Sequence, residues 1–256
     1  MSKKNLLAMV VATSLMTVAC SDDTVTPTTD KTYIPSAVGT YVINSNESYT
    51  TEGTIDDGED STVVVGTMSI TDGKGVSKTG IMHITYFSGD PVDTVILAQE
   101  GAKIYGLLDL ELAAGDQFPP VNLGTRWVLV ADGNATSSWS ALSETVSGVQ
   151  FEYPGVPVPL TADAQFTMTC AKVADTTMTI TGTSVPTVKY TTDFGITISI
   201  AGFPNPIAVT LKSFEYYGEN VGMVRTYQDA STVQTPFGAL ALDGYNSVAV
   251  RYGKQN

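Results

Sequence analysis

The stretch "QFTMTCA", residues 165–171, puts Phe166, Met168 and Cys170 on one side of an extended chain and Gln165, Thr167 and Thr169 on the other. "FGITISI", residues 194–200, repeats the arrangement, with Phe194, Ile196, Ile198 and Ile200 opposing Gly195, Thr197 and Ser199. A period of two rather than 3.6 predicts strands. One apolar face per strand predicts an antiparallel sheet wetted on its other side.

The same grammar extends in both directions from about residue 38. "TVVVGTMSI" (62–70) runs into the turn-rich "TDGKG" (71–75), then come "TGIMHITYF" (79–87), "KIYGLLDL" (103–110), "TRWVLVA" (125–131), "VGMVRTY" (221–227) and "NSVAVRY" (246–252). Short β-branched or aromatic runs separated by Gly, Asp, Asn and Pro are strand-and-hairpin signals. Gly73 and Gly75 suit hairpin turns, and Gly218 with Asn220 suits a turn needing positive φ. The expected class is all-β or β-dominated: an antiparallel curved sheet, a half-open barrel or a sandwich, with at most a short helix. The segment "ATSSWSALSE", 135–144, is the candidate for that helix, because Trp139 and Leu142 lie three apart; a loop is the other reading. A weak echo between residues 76–108 and 188–224 leaves open two similar sub-halves near 38–115 and 120–256, although shared hairpin grammar accounts for it without duplication.

Ahead of this domain the chain reads differently. Lys3 and Lys4 precede a largely apolar run from Leu6 to Ala19, the pattern of a secretory signal peptide over residues 1–19. The run is too short for a membrane span, which takes about 20 apolar residues. Residues 20–37, with Pro27, Pro35 and many threonines, read as an extended tether. The full chain carries a formal charge of −13, and loss of Lys3 and Lys4 with the signal takes it to −15. Such acidity excludes a nucleic-acid partner, which needs a basic patch. It equally disfavours a hold on anionic headgroups through the body of the protein. Only 15% of residues are charged, so Ser and Thr supply the polar faces.

"TVAC", residues 17–20, resembles the lipobox of bacterial lipoproteins, with Thr17 standing where leucine is usual. The resemblance implies that Cys20 is acylated on sulfur, as in palmitate-bearing lipoproteins, and becomes the first residue of the mature protein. Its partner would then be the lipid bilayer, reached through the Cys20 acyl chains. Ser21, Asp22 and Asp23 resemble the export signal of surface lipoproteins in the Bacteroidetes group. Together these imply a bacterial cell-envelope location, as an outer-membrane lipoprotein facing the periplasm or the cell surface. Further along, "FEYYGENVGMVRTY" (214–227) resembles the aromatic–Gly–x–x–Val–Gly–hydrophobic–Val–basic hairpin of envelope lipoproteins with half-open antiparallel barrels. Some proteins of that architecture hold acyl chains in their concavity, and the motif carries no catalytic residue.

Chemistry-bearing residues are sparse. With Cys20 acylated, Cys170 has no disulfide partner and sits mid-strand as a small hydrophobe. His83 is the single histidine, sharing a face with Ile81, Thr85 and Phe87, without a nucleophile elbow or a second histidine at metal spacing. The acids of "IDDGEDS" (55–61), namely Asp56, Asp57, Glu59 and Asp60, fit a solvated hairpin tip better than a calcium loop, because the spacing is not that of an EF-hand. Asp109 and Glu111 stand two apart and would share a strand face, a pair of the kind used in glycoside hydrolysis. Trp127, Trp139, Phe214, Tyr216, Tyr217 and Tyr227 are core by default, and in aggregate could line a concave site or a carbohydrate platform. The expectation is no cofactor, no metal, no catalytic residue and no enzymatic activity. The leading reading is an anchored module binding an acyl chain or other apolar ligand; the alternatives are a surface module contacting glycan or protein, and a carboxylate-dependent hydrolase.

Overall fold

The computed structural model describes residues 31–50, 53–112, 121–151, 159–235 and 238–255. They form fourteen strands and, among the described residues, no helix. The first six are β1 (Thr40–Thr50), β2 (Gly53–Thr71), β3 (Ser77–Phe87), β4 (Asp90–Glu100), β5 (Lys103–Leu112) and β6 (Val121–Asp132). Then follow β7 (Trp139–Phe151), β8 (Leu160–Ile180), β9 (Thr183–Ile200), β10 (Ile207–Gly218) and β11 (Gly222–Gln228). The last three are β12 (Ser231–Thr235), β13 (Gly238–Leu242) and β14 (Gly244–Lys254). Twelve of them make one antiparallel sheet in the order β6-β5-β4-β3-β2-β1-β14-β11-β10-β9-β8-β7, while β12 and β13 form a separate hairpin. The sheet is nearly closed into a barrel.

The sequence period sets the two faces. In β8, Ala162, Ala164, Phe166, Met168 and Cys170 are buried, and in β9 Val188, Tyr190, Phe194 and Ile196 join them. All but Ala162, which packs separately with Ile200, meet Ile104 and Leu108 of β5 and Val128 and Val130 of β6 in one core cluster. Each large apolar side chain so buried contributes about 1.5–3 kcal/mol. The proposed helix at 135–144 is corrected: residues from Trp139 belong to β7, whose register slips between Ser140 and Leu142. That bulge, not a helical turn, produces the spacing of Trp139 and Leu142.

Among the described residues the barrel stays open at a seam, where the edge strands β6 and β7 adjoin without a ladder between them. An edge of this kind leaves backbone groups unpaired. The tip of the β2–β3 hairpin supplies the partners. Asp72 Oδ2 accepts from Trp127 N at 2.9 Å, Gly73 N donates to Thr125 O at 2.9 Å, and Trp127 Nε1 donates to Ile70 O at 3.2 Å. From the other side Trp139 Nε1 donates to Leu129 O at 3.0 Å. Burial would raise the Asp72 pKa, but bonds from the Trp127, Val76 and Lys74 amides and the Arg126 charge outweigh it and hold the carboxyl below its ordinary value. A Cβ at Gly73 would lie 3.1 Å from the Thr125 backbone O and 2.6 Å from Arg126 Nη1, so the close approach of the hairpin to β6 favours glycine there. In the β10–β11 turn Asn220 and Gly222 take positive φ, at 59° and 108°, whereas Gly218 leaves room for Val224 and Val185.

One end of the barrel is stopped by the segment before β1. Tyr33 and Ile34 are buried in the core cluster. Gln99 clamps them, Oε1 accepting from Tyr33 N at 2.9 Å and from Ile34 N at 2.8 Å. Its Nε2 donates to Lys31 O at 2.7 Å and to Gly101 O at 2.8 Å. The tether expected to run to residue 37 therefore joins the fold earlier, at Lys31, because two large apolar side chains find a slot there. Residues 1–30, Cys20 included, lie outside the described residues.

Candidate functional site

Strand alternation places Ser213, Glu215 and Tyr217 of β10 inside the barrel and Phe214 and Tyr216 on its outer wall. On that wall Phe214 faces Tyr227 of β11 and Tyr216 faces Arg225. The row continues from Tyr227 to Asn246 of β14 and from Asn246 to Glu47 of β1. With neighbouring strands about 4.8 Å apart, Phe214 to Glu47 spans about 14 Å. Phe214 and Tyr227 lie 6.1 Å apart, tilted by 35°, and Tyr49 of β1 meets Tyr227 edge-on, also at 6.1 Å.

Cations and planar polar groups frame these rings. Lys189 Nζ sits 4.3 Å from the Phe214 ring centre, and the Arg225 guanidinium 5.6 Å from those of both Tyr216 and Tyr227. Arg225 Nε donates to Asn246 Oδ1 at 3.0 Å, and Tyr49 OH donates to Glu47 Oε2 at 3.1 Å. Tyr227 OH donates to Asp229. Desolvation and then the Glu47 carboxylate raise the Tyr49 pKa, while the bond to Asp229 raises that of Tyr227. Both phenols stay protonated donors. Lys189, Lys212 and Arg225 are balanced by Asp193, Glu47 and Asp229, Lys212 lying 3.8 Å from Asp193. The wall therefore offers aromatic faces, donors and acceptors together, with little net charge.

The aromatic set named from sequence divides. Phe214, Tyr216 and Tyr227 are brought together; Trp127 and Trp139 serve the seam, and Tyr217 is wholly buried. Glu47, Tyr49, Lys189, Arg225 and Asn246 were not among the sequence candidates. The alternation in "SFEYYG" was the available signal, since it separates Phe214 and Tyr216 from Glu215, but the cross-strand partners lie far away in sequence.

The other candidates are dispersed. His83 points inward and is 8% exposed, its Nδ1–H donating to Ile81 O at 3.2 Å. Burial pushes its pKa down to about 4, so the ring is neutral at neutral pH. Beside it lies a cavity of about 60 Å³, lined by residues including Val64, Leu97, Pro35 and Val221. Cys170 is fully buried, with Sγ 3.7 Å from Thr192 Oγ1, and burial keeps the thiol protonated. The acids at 55–61 do not form a hairpin tip: they lie within β2, with a register slip that accommodates Gly58 at φ 82°. Asp60 accepts from both Asn44 and Asn46 at 2.9 Å, and Arg251 reaches Glu59 at 2.9 Å. Among the described residues no three His, Cys, Asp or Glu side chains are grouped to hold a metal ion. Asp109 is exposed, and an irregularity in β5 separates its register from that of Glu111, whose side chain is outside the described set.

Sequence reasoning also passed over Glu215. It is 3% exposed inside the barrel, and Ser213 Oγ donates to its Oε1 at 3.2 Å. Oε2 has no partner among the described residues. Burial, only partly offset by the Ser213 and Thr192 hydroxyls, raises its pKa to about 7.

No protein-family model matches the chain, and the search of curated proteins gives no match. Two solved structures are similar in outline. One is described as a candidate lipoprotein from Parabacteroides distasonis, with a TM-score of 0.44 and 13% identity over 88% of this chain and 100% of that one. The other is a candidate exported protein with a YmcC-like fold from Bacteroides fragilis, with a TM-score of 0.40 and 10% identity over the same shares. At this distance the likenesses say nothing of function.

Proposed function

We propose that the protein is a bacterial envelope lipoprotein, held in the membrane through acyl chains on Cys20, that binds a glycan on its outer wall without catalysing a reaction. The observation that carries the binding role is the row Phe214–Tyr227–Asn246–Glu47. A sugar ring presents C–H groups on its face and hydroxyls around its edge. The former pack on aromatic faces, and the latter need donors and acceptors side by side, as Arg225, Asn246, Glu47 and the two phenols provide. The near balance of charge on this wall favours an uncharged glycan over an acidic one. The inside of the barrel favours an apolar ligand less. Among the described residues Phe166, Met168, Tyr190 and Tyr217 pack into its core, and the cavity beside His83, about 60 Å³, is far below the roughly 300–1,000 Å³ of small-molecule pockets.

Affinity electrophoresis through gels containing neutral soluble polysaccharides tests the binding role. Retardation by at least one, lost in Tyr227→Ala and Phe214→Ala but kept in Lys254→Ala, is the expected result. No retardation by any polysaccharide, or retardation unchanged in both ring variants, would overturn it and turn the wall toward a protein partner. The anchor is tested separately: Cys20→Ala abolishes metabolic labelling with a fatty acid, and persistent labelling sinks the lipoprotein reading.

A further inference from the structure

The two ends of the barrel differ in charge, and the chain leaves from only one of them. Lys31 is fixed at the end that carries the β4–β5, β8–β9 and β10–β11 turns. The Gln99 clamp holds it there, Asn220 N donates to Thr32 O at 2.6 Å, and Lys31 pairs with Glu219 at 3.8 Å. Around this end lysines and acids alternate. Lys31, Lys103, Lys172 and Lys254 stand with Glu100, Asp132, Asp175 and Glu219, and Lys172 pairs with Asp175 at 3.0 Å.

The opposite end carries the β1–β2, β3–β4, β9–β10 and β13–β14 connections. There Asp57, Asp90, Asp163, Asp229 and Asp243 are all exposed, and the described residues of those four connections include no Lys or Arg.

We infer that the protein stands end-on against the lipid surface, with the Lys31 end toward the headgroups and the acidic end held away. The inference rests on the Cys20 anchor proposed above. The eleven residues from Cys20 to Lys31 reach at most about 40 Å when extended. An eleven-residue strand covers about 36 Å. The tether alone thus permits the barrel to lie on its side or invert, and the charges decide. An anionic headgroup layer repels the carboxylate end and tolerates the balanced one, over a range of about 8 Å at physiological salt. Exposed Ile55, Phe87 and Val92 belong to the acidic end, so bringing them to lipid would bring the carboxylates too.

The test uses the mature chain from Cys20, coupled through that thiol to a maleimide lipid in vesicles of phosphatidylcholine with increasing phosphatidylglycerol; buried Cys170 is spared. Lysine acylation and carboxyl amidation are then mapped by mass spectrometry on tethered and free protein. The expected result is a several-fold fall in modification of Lys31, Lys103 and Lys254 on vesicles, with Asp57, Asp229 and Asp243 unchanged. The fall deepens with phosphatidylglycerol and relaxes at high salt. Equal protection of both ends, stronger protection of the carboxylates, or indifference to lipid charge and salt would overturn the inference. Because the coupling is chemical, a failure here is distinct from a failure of native acylation, which fatty-acid labelling reads.

Discussion

The wall formed by β8, β9 and β10 buries a carboxyl, Glu215, and the wall formed by β2, β3 and β4 buries an imidazole, His83, and the two are treated oppositely. On the second wall His83 is neutral, and its Nδ1–H has a carbonyl partner. On the first wall Glu215 keeps one oxygen without a partner and lies among Thr192, Ser213 and the rings of Tyr190 and Tyr217. The same physical cause, loss of water, removes charge from both groups. It lowers the pKa of a base and raises that of an acid. The two walls therefore respond to pH with opposite sign.

The largest effect comes from breaking the first wall. Tyr190 is fully buried and packs edge-on against Trp139 and Tyr217. Tyr190→Ala is expected to cost about 3–5 kcal/mol, read by chemical denaturation. A loss below about 1 kcal/mol would mean that the ring is not part of a packed interior.

Next come the two titrations. Folded Glu215 keeps its proton up to about pH 7, whereas unfolded it releases it near 4.5. Stability is thus lost as pH rises between those values, by about 3 kcal/mol in full. Glu215→Gln abolishes this loss, so the variant gains on the wild type progressively as pH rises from about 4.5 to about 7. Folded His83 takes a proton only near pH 4, whereas unfolded it takes one near 6.5. Its contribution is complete above 6.5 and is lost as pH falls toward 4, again by about 3 kcal/mol. In His83→Gln the acid-side loss shrinks. Urea midpoints across this range check both, and parallel pH profiles for wild type and either variant would refute the contrast.

A smaller effect is expected where the walls share the N-terminal stop. Gln99→Ala strips the β4 side of its clamp, leaving Tyr33 N and Ile34 N without their acceptor, and should cost about 1–2 kcal/mol. Faster amide exchange at both residues would confirm it. The smallest concerns the exposed pair between Arg251 of β14 and Glu59 of β2. Arg251→Ala should change stability by less than about 1 kcal/mol in denaturation, and a larger change would mean the acidic stretch of β2 depends on that pair.

The strands were legible because alternation over residues such as 165–171 is a local property that burial then enforces. The same logic misled at 135–144, where a β-bulge shifts Leu142 by one place and imitates a helical interval. At 55–61 the acids suggested a tip, because sequence does not reveal that Asn44 and Asn46 stand opposite to accept Asp60 into a strand. The wall was half visible: "FEYY" showed bulk on both faces, but Tyr49 and Asn246 reach the site from the two ends of the domain.

By itself, then, the sequence determined the two-residue period, the inward direction of Phe166, Met168 and Cys170, the acidity, and a signal-like start before Cys20. Tertiary structure decided how the sheet ends. Asp72 caps Trp127 from 55 residues away, and Gln99 holds Tyr33 across 66. It also decided which rings adjoin and which buried group lacks a partner. Period is written in neighbours along the chain, whereas closure and partnership depend on which distant backbone groups are left unpaired once the strands have formed.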